Sequence, residues 1–250
     1  MVRLIRAEFL KLRTTQVWFW MLMASVAISA LLVVGALASG DGVRTVADVP
    51  DMFTSSGTAY IAVFVLGVLG VTTEFRYQTI TPTVLATPSR WAIMTAKMIT
   101  YAIVGAVYSL ACILVQLAIA LPWLSAKGIH VSLGGDHIPR ALVGVFVVVA
   151  IYGIIGLGAG ALLRNQIVAV TVGILFLLIL QNIVVAIPVV KNAYPYLPGG
   201  ATSSILTITG SRSFNGVQIL STAGGVGVLL AWAFVPAMLG AATTMNRDIT

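Results

Sequence analysis

Long apolar stretches alternate with short polar breaks along this chain, and six of the stretches are long enough to cross a lipid bilayer. They cover residues 17–38, 56–73, 98–121, 141–163, 167–190 and 219–242. About 20 apolar residues in a helix span a hydrocarbon core roughly 30 Å thick. The pattern therefore predicts an all-α, polytopic membrane protein, with one transmembrane domain of six helices over residues 1–250.

The composition agrees with this prediction. Hydrophobic residues make up 59% of the chain and charged residues 8%, with a mean hydropathy of +1.05, whereas a soluble domain carries about 25% charged residues. The net charge of +7 would suit a nucleic-acid ligand, but the basic residues flank the apolar stretches instead of forming a basic patch. We therefore expect lipid, and not nucleic acid, as the partner of these charges.

The basic residues also predict the orientation of the spans. An even number of spans places both termini on one side of the membrane. If that side is the cytoplasm, nine of the 14 basic residues are cytoplasmic, and the other five are Arg44, Lys127, Arg140, Lys191 and Arg212. Because cytoplasmic loops are enriched in basic residues, we expect both termini in the cytoplasm.

The connections between spans differ in length. Arg164-Asn165-Gln166 is short enough to join the fourth and fifth spans as a tight antiparallel hairpin. Residues 191–218 form the longest outside connection and read as a polar loop. The break at residues 74–97 is the one substantial cytoplasmic loop of this scheme.

Residues 1–16 have the pattern of a surface helix. Apolar side chains recur every three or four residues, which places them on one helical face: Val2, Ile5, Phe9 and Leu12. Arg3, Arg6 and Arg13 fall largely away from that face. We expect an interfacial helix with its cationic side toward anionic headgroups. A plain basic flank is the alternative, and it would explain the charges but not the apolar period.

The 74–97 loop combines charges with two helix-start signals. Glu74 and Arg76 are expected where the second span meets water, and Thr81-Pro82 and Thr87-Pro88 each place proline after an N-cap residue. The pattern predicts a short helix across the membrane surface and a second helix start that leads into the third span. An ordinary loop held by positive charges is the alternative, but such a loop needs neither helix start.

The chain lacks the motifs of a nucleotide-binding or hydrolytic enzyme. There is no G-x-x-x-x-G-K-[ST], H-E-x-x-H or G-x-S-x-G motif. His130, Asp136 and His137 cluster in an outside loop, where we expect solvated side chains rather than a metal site. We therefore predict neither enzymatic activity nor a metal or cofactor on this chain.

The spans contain small and polar residues of interest. Gly156 and Gly160 form a G-x-x-x-G motif, which lets helices pack closely in lipid, and the overlapping dinucleotide-binding pattern lies inside a span. Ionisable residues within spans usually mark ion paths, and the sequence places essentially none away from the span ends. For the neutral polar residues we expect interhelical hydrogen bonds, with a substrate path as the alternative; these residues are Gln116, Gln181 and Asn182.

Four short motifs, taken in order along the whole chain, resemble the permease subunits of ABC transporters of the ABC-2 superfamily, especially small bacterial exporters. The first is AEFLKLRTT, and the second comprises Glu74, Arg76, Thr79, Pro88-Ser89-Arg90 and Lys97. The others are Leu163-Arg164-Asn165-Gln166 and Tyr196-Leu197-Pro198-Gly199-Gly200-Ala201. Two positions depart from the family pattern, since Gln78 replaces a glycine of many relatives and Asn182 an acid of some.

The resemblance implies a function. Such a permease pairs with an identical or paralogous chain and docks its short cytoplasmic helix on a separate ABC ATPase, which binds ATP and Mg²⁺. The residues that would couple to the ATPase are Glu74, Arg76, Thr79, Val84, Leu85, Pro88 and Arg90. The cargo would be a hydrophobic or amphipathic compound exported across a bacterial plasma membrane. The alternatives are a secondary transporter or channel without an ATPase, and a non-transporting scaffold or intramembrane enzyme.

Overall fold

Helices dominate the computed structural model of this protein, which describes residues 1–39, 45, 48–79, 89–129, 131–132, 134–135, 137–208, 213–214 and 216–244. The helices are α1 (Val2–Thr14), α2 (Val17–Ala38), α3 (Val49–Phe53), α4 (Ala59–Arg76), α5 (Arg90–Ala126), α6 (Ile138–Leu163), α7 (Gln166–Ala186), α8 (Pro198–Leu206) and α9 (Thr222–Thr244). Two 3-10 turns (Thr54–Thr58 and Lys191–Tyr196) and a hairpin of β1 (Ser213–Phe214) with β2 (Val217–Gln218) accompany them. Six helices are long and apolar enough to cross a membrane, namely α2, α4, α5, α6, α7 and α9. The predicted all-α, six-span fold is confirmed.

Side-chain contacts identify the two ends of the bundle. At one end, which we call the α1 end, Arg76 at the close of α4 donates a hydrogen bond to Gln166 at the start of α7. At the opposite end, the Lys127 ammonium donates to the carbonyl of Leu37 at 2.5 Å. These contacts match an up-and-down arrangement in which successive spans run in opposite directions.

α6 lies at the centre of the bundle. Of the 18 most apolar consecutive residues of α6, 67% are buried, compared with 17% for α7. α6 packs against α4, α5 and α9. A Cβ added to Gly156 would overlap the carbonyl of Phe64, and one added to Gly160 would lie 2.8 Å from the carbonyl oxygen of Val68. The G-x-x-x-G motif therefore lies where α6 contacts α4.

Several helix ends differ from the predicted limits because local hydrogen bonding, and not hydropathy, sets them. α7 ends at Ala186 instead of residue 190, since Ile187 precedes a proline and is extended, with ψ of 113°. α9 begins at Thr222 instead of residue 219, where Ser221 Oγ accepts a hydrogen bond from the Gly224 N–H at 3.1 Å. α4 runs from Ala59 to Arg76 instead of residues 56–73. α5 is longer than predicted at both ends, and Ser89 precedes its first residue.

The connection between α6 and α7 is as short as predicted. Arg164 takes the left-handed conformation with φ of 53°, which turns the chain back. Asn165 then caps α7, because its side-chain oxygen accepts a hydrogen bond from the Val168 N–H at 3.1 Å. Two residues thus join the fourth and fifth spans.

The 191–218 connection is not the polar loop that the sequence predicts. Its 3-10 turn and α8 enter the bundle, where the Trp232 indole N–H donates to the Tyr196 carbonyl at 2.9 Å and the Tyr152 and Thr202 hydroxyls lie 3.1 Å apart. Prolines, glycines and hydroxyl residues made this segment resemble a loop, but the small ones allow close packing. An added Cβ at Gly200 would overlap the carbonyl of Tyr194.

Candidate functional site

The predicted N-terminal helix is present as α1, and it contacts the bundle through an acidic residue as well as through its apolar face. Phe9 and Leu12 pack on the hydrophobic core, while Val2 remains 68% exposed. Glu8 is the buried residue of this helix. A buried carboxylate needs a partner, because removing a charge from water is costly unless the charge is compensated.

Four charged side chains meet at the α1 end and compensate one another: Glu8, Lys11, Glu74 and Lys97, which we call the charge cluster. The Lys97 ammonium lies 2.7 Å from a carboxylate oxygen of Glu8 and 2.7 Å from one of Glu74. It also donates to the Gly70 carbonyl at 3.0 Å. Lys97 therefore joins α5 to both α1 and α4.

Lys11 closes the cluster from the other side. Its ammonium lies 2.8 Å from Glu8 and 2.7 Å from Glu74, on the same Glu74 oxygen that Lys97 contacts. Partial burial alone would lower the pKa of Lys11, but hydrogen bonds to Glu74 and Glu8 and their negative charges outweigh it. The pKa of the Lys11 ammonium is therefore raised above its usual value.

The cluster is neutral and closed on one side. Two carboxylates balance two ammonium groups, and the Lys97 side chain is 1% exposed whereas that of Lys11 is 46% exposed. Removing one member of a buried ion pair leaves an uncompensated charge and is strongly destabilising. The three helices are therefore held at this point by interactions that cannot be lost singly without cost.

This geometry corrects two expectations from the sequence. Glu74 does not lie where the second span meets water, since it is 6% exposed, and Lys97 is a buried ionisable residue inside a long helix. Hydropathy along the chain places charges at span ends because it cannot register a partner that is distant in sequence. Glu8 supplies that partner from α1.

The end of α4 carries a second set of contacts. The Arg76 guanidinium donates to the side-chain oxygen of Gln166 at 3.3 Å and lies 5.6 Å from the Tyr77 ring centroid. Gln78 follows with φ of 55°, and the Thr79 N–H bonds to the Glu74 carbonyl at 3.0 Å. Glycine adopts this left-handed position after a helix most easily, and here Gln78 occupies it.

A cavity of about 520 Å³ borders the charge cluster between α1, α4 and the start of α7. Its wall contains the polar groups of Glu8, Lys11, Glu74, Arg76 and Gln166. The apolar side chains in the wall are Leu12, Val17, Leu66 and Leu69. The cavity therefore has both a charged and an apolar part.

Residues 4–181 match the model of a family of ABC-2 transporter proteins, which is well over half of the chain. The chain belongs to the ABC-2 transporter family. No curated protein matches it. The match includes nearly all of α1, the charge cluster, the first four membrane-crossing helices and most of the fifth, so the site described above lies within the family region of this ABC-2 protein.

Part of the predicted coupling set lies outside the described residues of this ABC-2 protein. This applies to Val84, Leu85 and Pro88, and with them to the predicted short helix. Arg90 begins α5, and Thr79 is exposed at the other border of the gap. The structure brings Glu74 into the charge cluster and places Arg76 beside α7.

Sequence reasoning did not include Glu8, Lys11 or Lys97 among the candidate site residues. Each of them occurs in a family-like motif, but none was assigned to coupling. The signal that could have identified them is the opposite charge of the residues that flank three consecutive apolar segments, two acids and two lysines. Such charges are rarely buried unless they pair with each other.

The three neutral polar residues have different surroundings. Gln116 is buried and donates to the Ser55 hydroxyl at 2.9 Å. The side-chain oxygen of Gln181 accepts from the Gly199 N–H, and Gln181 follows a π-helical turn at Phe176–Leu180. Asn182 is exposed and donates to the carbonyl of Leu178 in its own helix at 2.6 Å. Gln116 and Gln181 therefore connect different elements, whereas Asn182 does not.

The candidate metal ligands do not form a site among the described residues. His137 caps α6 in the left-handed conformation with φ of 61°, while His130 and Asp136 lie outside the described part of the chain. Within that described part, no group of at least three His, Cys, Asp or Glu side chains is arranged to hold a metal ion.

Proposed function

We propose that this chain is the permease subunit of an ATP-driven ABC exporter. It pairs with a second permease chain, identical or paralogous, and with a separate ABC ATPase that binds ATP and Mg²⁺. The complex moves a hydrophobic or amphipathic compound across a bacterial plasma membrane, with both termini of this chain in the cytoplasm. Membership of the ABC-2 family supports the permease role, and the remaining details belong to the proposal.

The charge cluster is the observation that carries the proposal. It ties α1, the end of α4 and the first turns of α5 together, so it lies where the chain leaves α4 and where it enters α5. A force applied by an ATPase to the chain between α4 and α5 reaches both spans and α1 at once. Glu74 of α4 and Lys97 of α5 bind each other, and each also binds a residue of α1. Glu74 therefore serves coupling from inside the bundle and Arg76 from its surface. Val84 and Leu85 form the surface that the ATPase binds.

Buried ionisable residues would also suit an ion-driven transporter, which is the main alternative. In the charge cluster, however, Glu8 and Glu74 are each within 2.8 Å of two lysines. A carboxylate already paired with two lysines can bind a transported cation only if one of these ion pairs is broken, which is costly for a buried pair. The arrangement therefore favours a structural role over ion transport.

The test is a purification of the tagged full-length chain from its native membrane. We expect a P-loop ATPase to copurify, and Val84→Asp to remove it because an acid in an apolar contact must lose its hydration. Ser125→Asp adds the same charge at the opposite end of the bundle and should retain the ATPase. Absence of any ATPase from the unmodified protein, or full retention by Val84→Asp, would contradict the proposal.

A further inference from the structure

The charge cluster and Arg76 together carry one net positive charge, if Lys97, which lies outside the cavity wall, is counted with the four charged residues that line the cavity. Glu8 and Glu74 are neutralised by Lys11 and Lys97, two charges against two. Arg76 also lines the cavity, and no carboxylate lies within ion-pair distance of it among the described residues. One positive charge therefore remains at an exposed wall.

Several hydrogen-bond donors are left over at this wall, which also contains the carboxylates of Glu8 and Glu74. Lys11 has three N–H bonds and directs two of them to carboxylates. Gln166 accepts from Arg76 with its oxygen, which leaves its amide nitrogen to donate. The hydroxyls of Thr14, Thr15 and Thr73 donate to their own helices. A ligand that matches this wall supplies several acceptor oxygens and one negative charge.

A phosphate diester has these properties, and arginine binds phosphate oxygens through paired N–H groups. The position also fits, because Arg76 lies in the last turn of the membrane-crossing helix α4 and Lys11 in the last turn of α1, where we expect lipid headgroups. The apolar wall of Leu12, Val17, Leu66 and Leu69 provides a surface for the first methylene groups of an acyl chain. A volume of about 520 Å³ falls within the usual range of ligand pockets, roughly 300–1,000 Å³.

We infer that this cavity binds the phosphate of an anionic glycerophospholipid, with Arg76 as its main contact and Lys11 and Gln166 as additional donors. A free phosphate ion shares the anionic chemistry but makes no use of the apolar wall. This lipid site goes beyond the proposed transport function. Its binding is measured on this chain alone, so failure of the lipid site and failure of ATPase coupling are distinguishable.

The experiment titrates the detergent-purified full-length chain with dioleoyl phosphatidylglycerol and counts bound lipid by native mass spectrometry. Dioleoylglycerol, which has the same acyl chains and no phosphate, is the ligand control. We expect saturable binding of the phosphate lipid and a loss of about tenfold in affinity for Arg76→Gln, as expected for one charge-assisted hydrogen-bonded contact. Arg76→Lys, which keeps the charge but not the paired N–H groups, should lose less affinity than Arg76→Gln. Arg3→Gln, which removes a charge elsewhere, should remain within a factor of about two.

Three results would overturn the inference. One is equal binding of the two lipids, since the phosphate would then play no part. Another is an equal loss for Arg3→Gln and Arg76→Gln, which would indicate unspecific attraction to a basic protein. The third is displacement of the lipid by an equal concentration of inorganic phosphate, which would make the cavity a site for the free ion.

Discussion

The two ends of the helical bundle are held together by different chemistry. At the α1 end, the charge cluster joins α1, α4 and α5 through ion pairs of 2.7 to 2.8 Å. Toward the opposite end, Lys127 bonds the Leu37 carbonyl, and the contacts where α7 and α6 meet α8 are neutral, with Gln181 accepting from the Gly199 N–H and the Tyr152 and Thr202 hydroxyls 3.1 Å apart. The α1 end cannot rearrange without separating buried charges, whereas the contacts of α8 can exchange one neutral hydrogen bond for another.

The difference suggests where the subunit is rigid. Separating one partner from a buried ion pair costs about 3–5 kcal/mol, while a neutral hydrogen bond contributes about 1 kcal/mol net. We therefore expect α1, α4 and α5 to move as one unit at the α1 end. Changes within the subunit should be concentrated where α7 meets α8, beside the π-helical turn.

The largest effect is expected from Lys97→Met. This change leaves Glu8 and Glu74 with Lys11 alone and should lower the free energy of unfolding by roughly 3–5 kcal/mol. The measurement is the unfolding midpoint of the full-length chain in mixed micelles with increasing SDS. Arg3→Met removes an exposed positive charge from α1 and should change the midpoint little.

A second change separates the loss of charge balance from the loss of packing. Glu8→Gln combined with Lys97→Met restores neutrality, since Lys11 then faces Glu74 alone. The double variant should recover part of the stability lost by Lys97→Met. Equal stability of the double variant and Lys97→Met would show that the cluster acts by shape and not by charge.

Local sequence patterns were sufficient for the parts of this fold that depend on neighbouring residues. The six apolar stretches, the helical period of residues 1–16 and the Arg164-Asn165 turn all follow from properties of adjacent side chains. The proline after Ile187 could also have set the end of α7 correctly, because it acts on its direct neighbour.

The parts that were missed depend on distant partners. Glu74 is buried because Lys11 and Lys97 neutralise it, and both lysines also pair with Glu8. α8 was read as a loop because its burial depends on contacts with α6 and α9, such as that between Tyr152 and Thr202. A residue's own hydropathy carries no record of such partners.

The neutral end should respond less to substitution. Gln181→Leu removes the acceptor for the Gly199 N–H and should cost about 1 kcal/mol. The loss is limited because the Gln181 amide nitrogen is buried without a partner among the described residues, so its removal relieves a cost. Asn182→Leu affects a hydrogen bond within one helix. It should change the free energy of unfolding, measured by the same SDS titration, by less than about 0.5 kcal/mol. A loss for Gln181→Leu as large as that for Lys97→Met would erase the contrast between the two ends.

The smallest effect concerns pH and Lys11. Its pKa is raised above the usual 10.5 in the folded protein, so the stabilisation by Lys11 is fully present below that value and is lost as the pH rises through the raised pKa. The stability difference between the unmodified protein and Lys11→Met should therefore be constant between about pH 6 and 9 and shrink above about pH 10.5. Because the side chain is 46% exposed, added salt should also reduce this difference. A difference that changes near neutral pH would mean that another group, and not the Lys11 ammonium, controls the open side of the charge cluster.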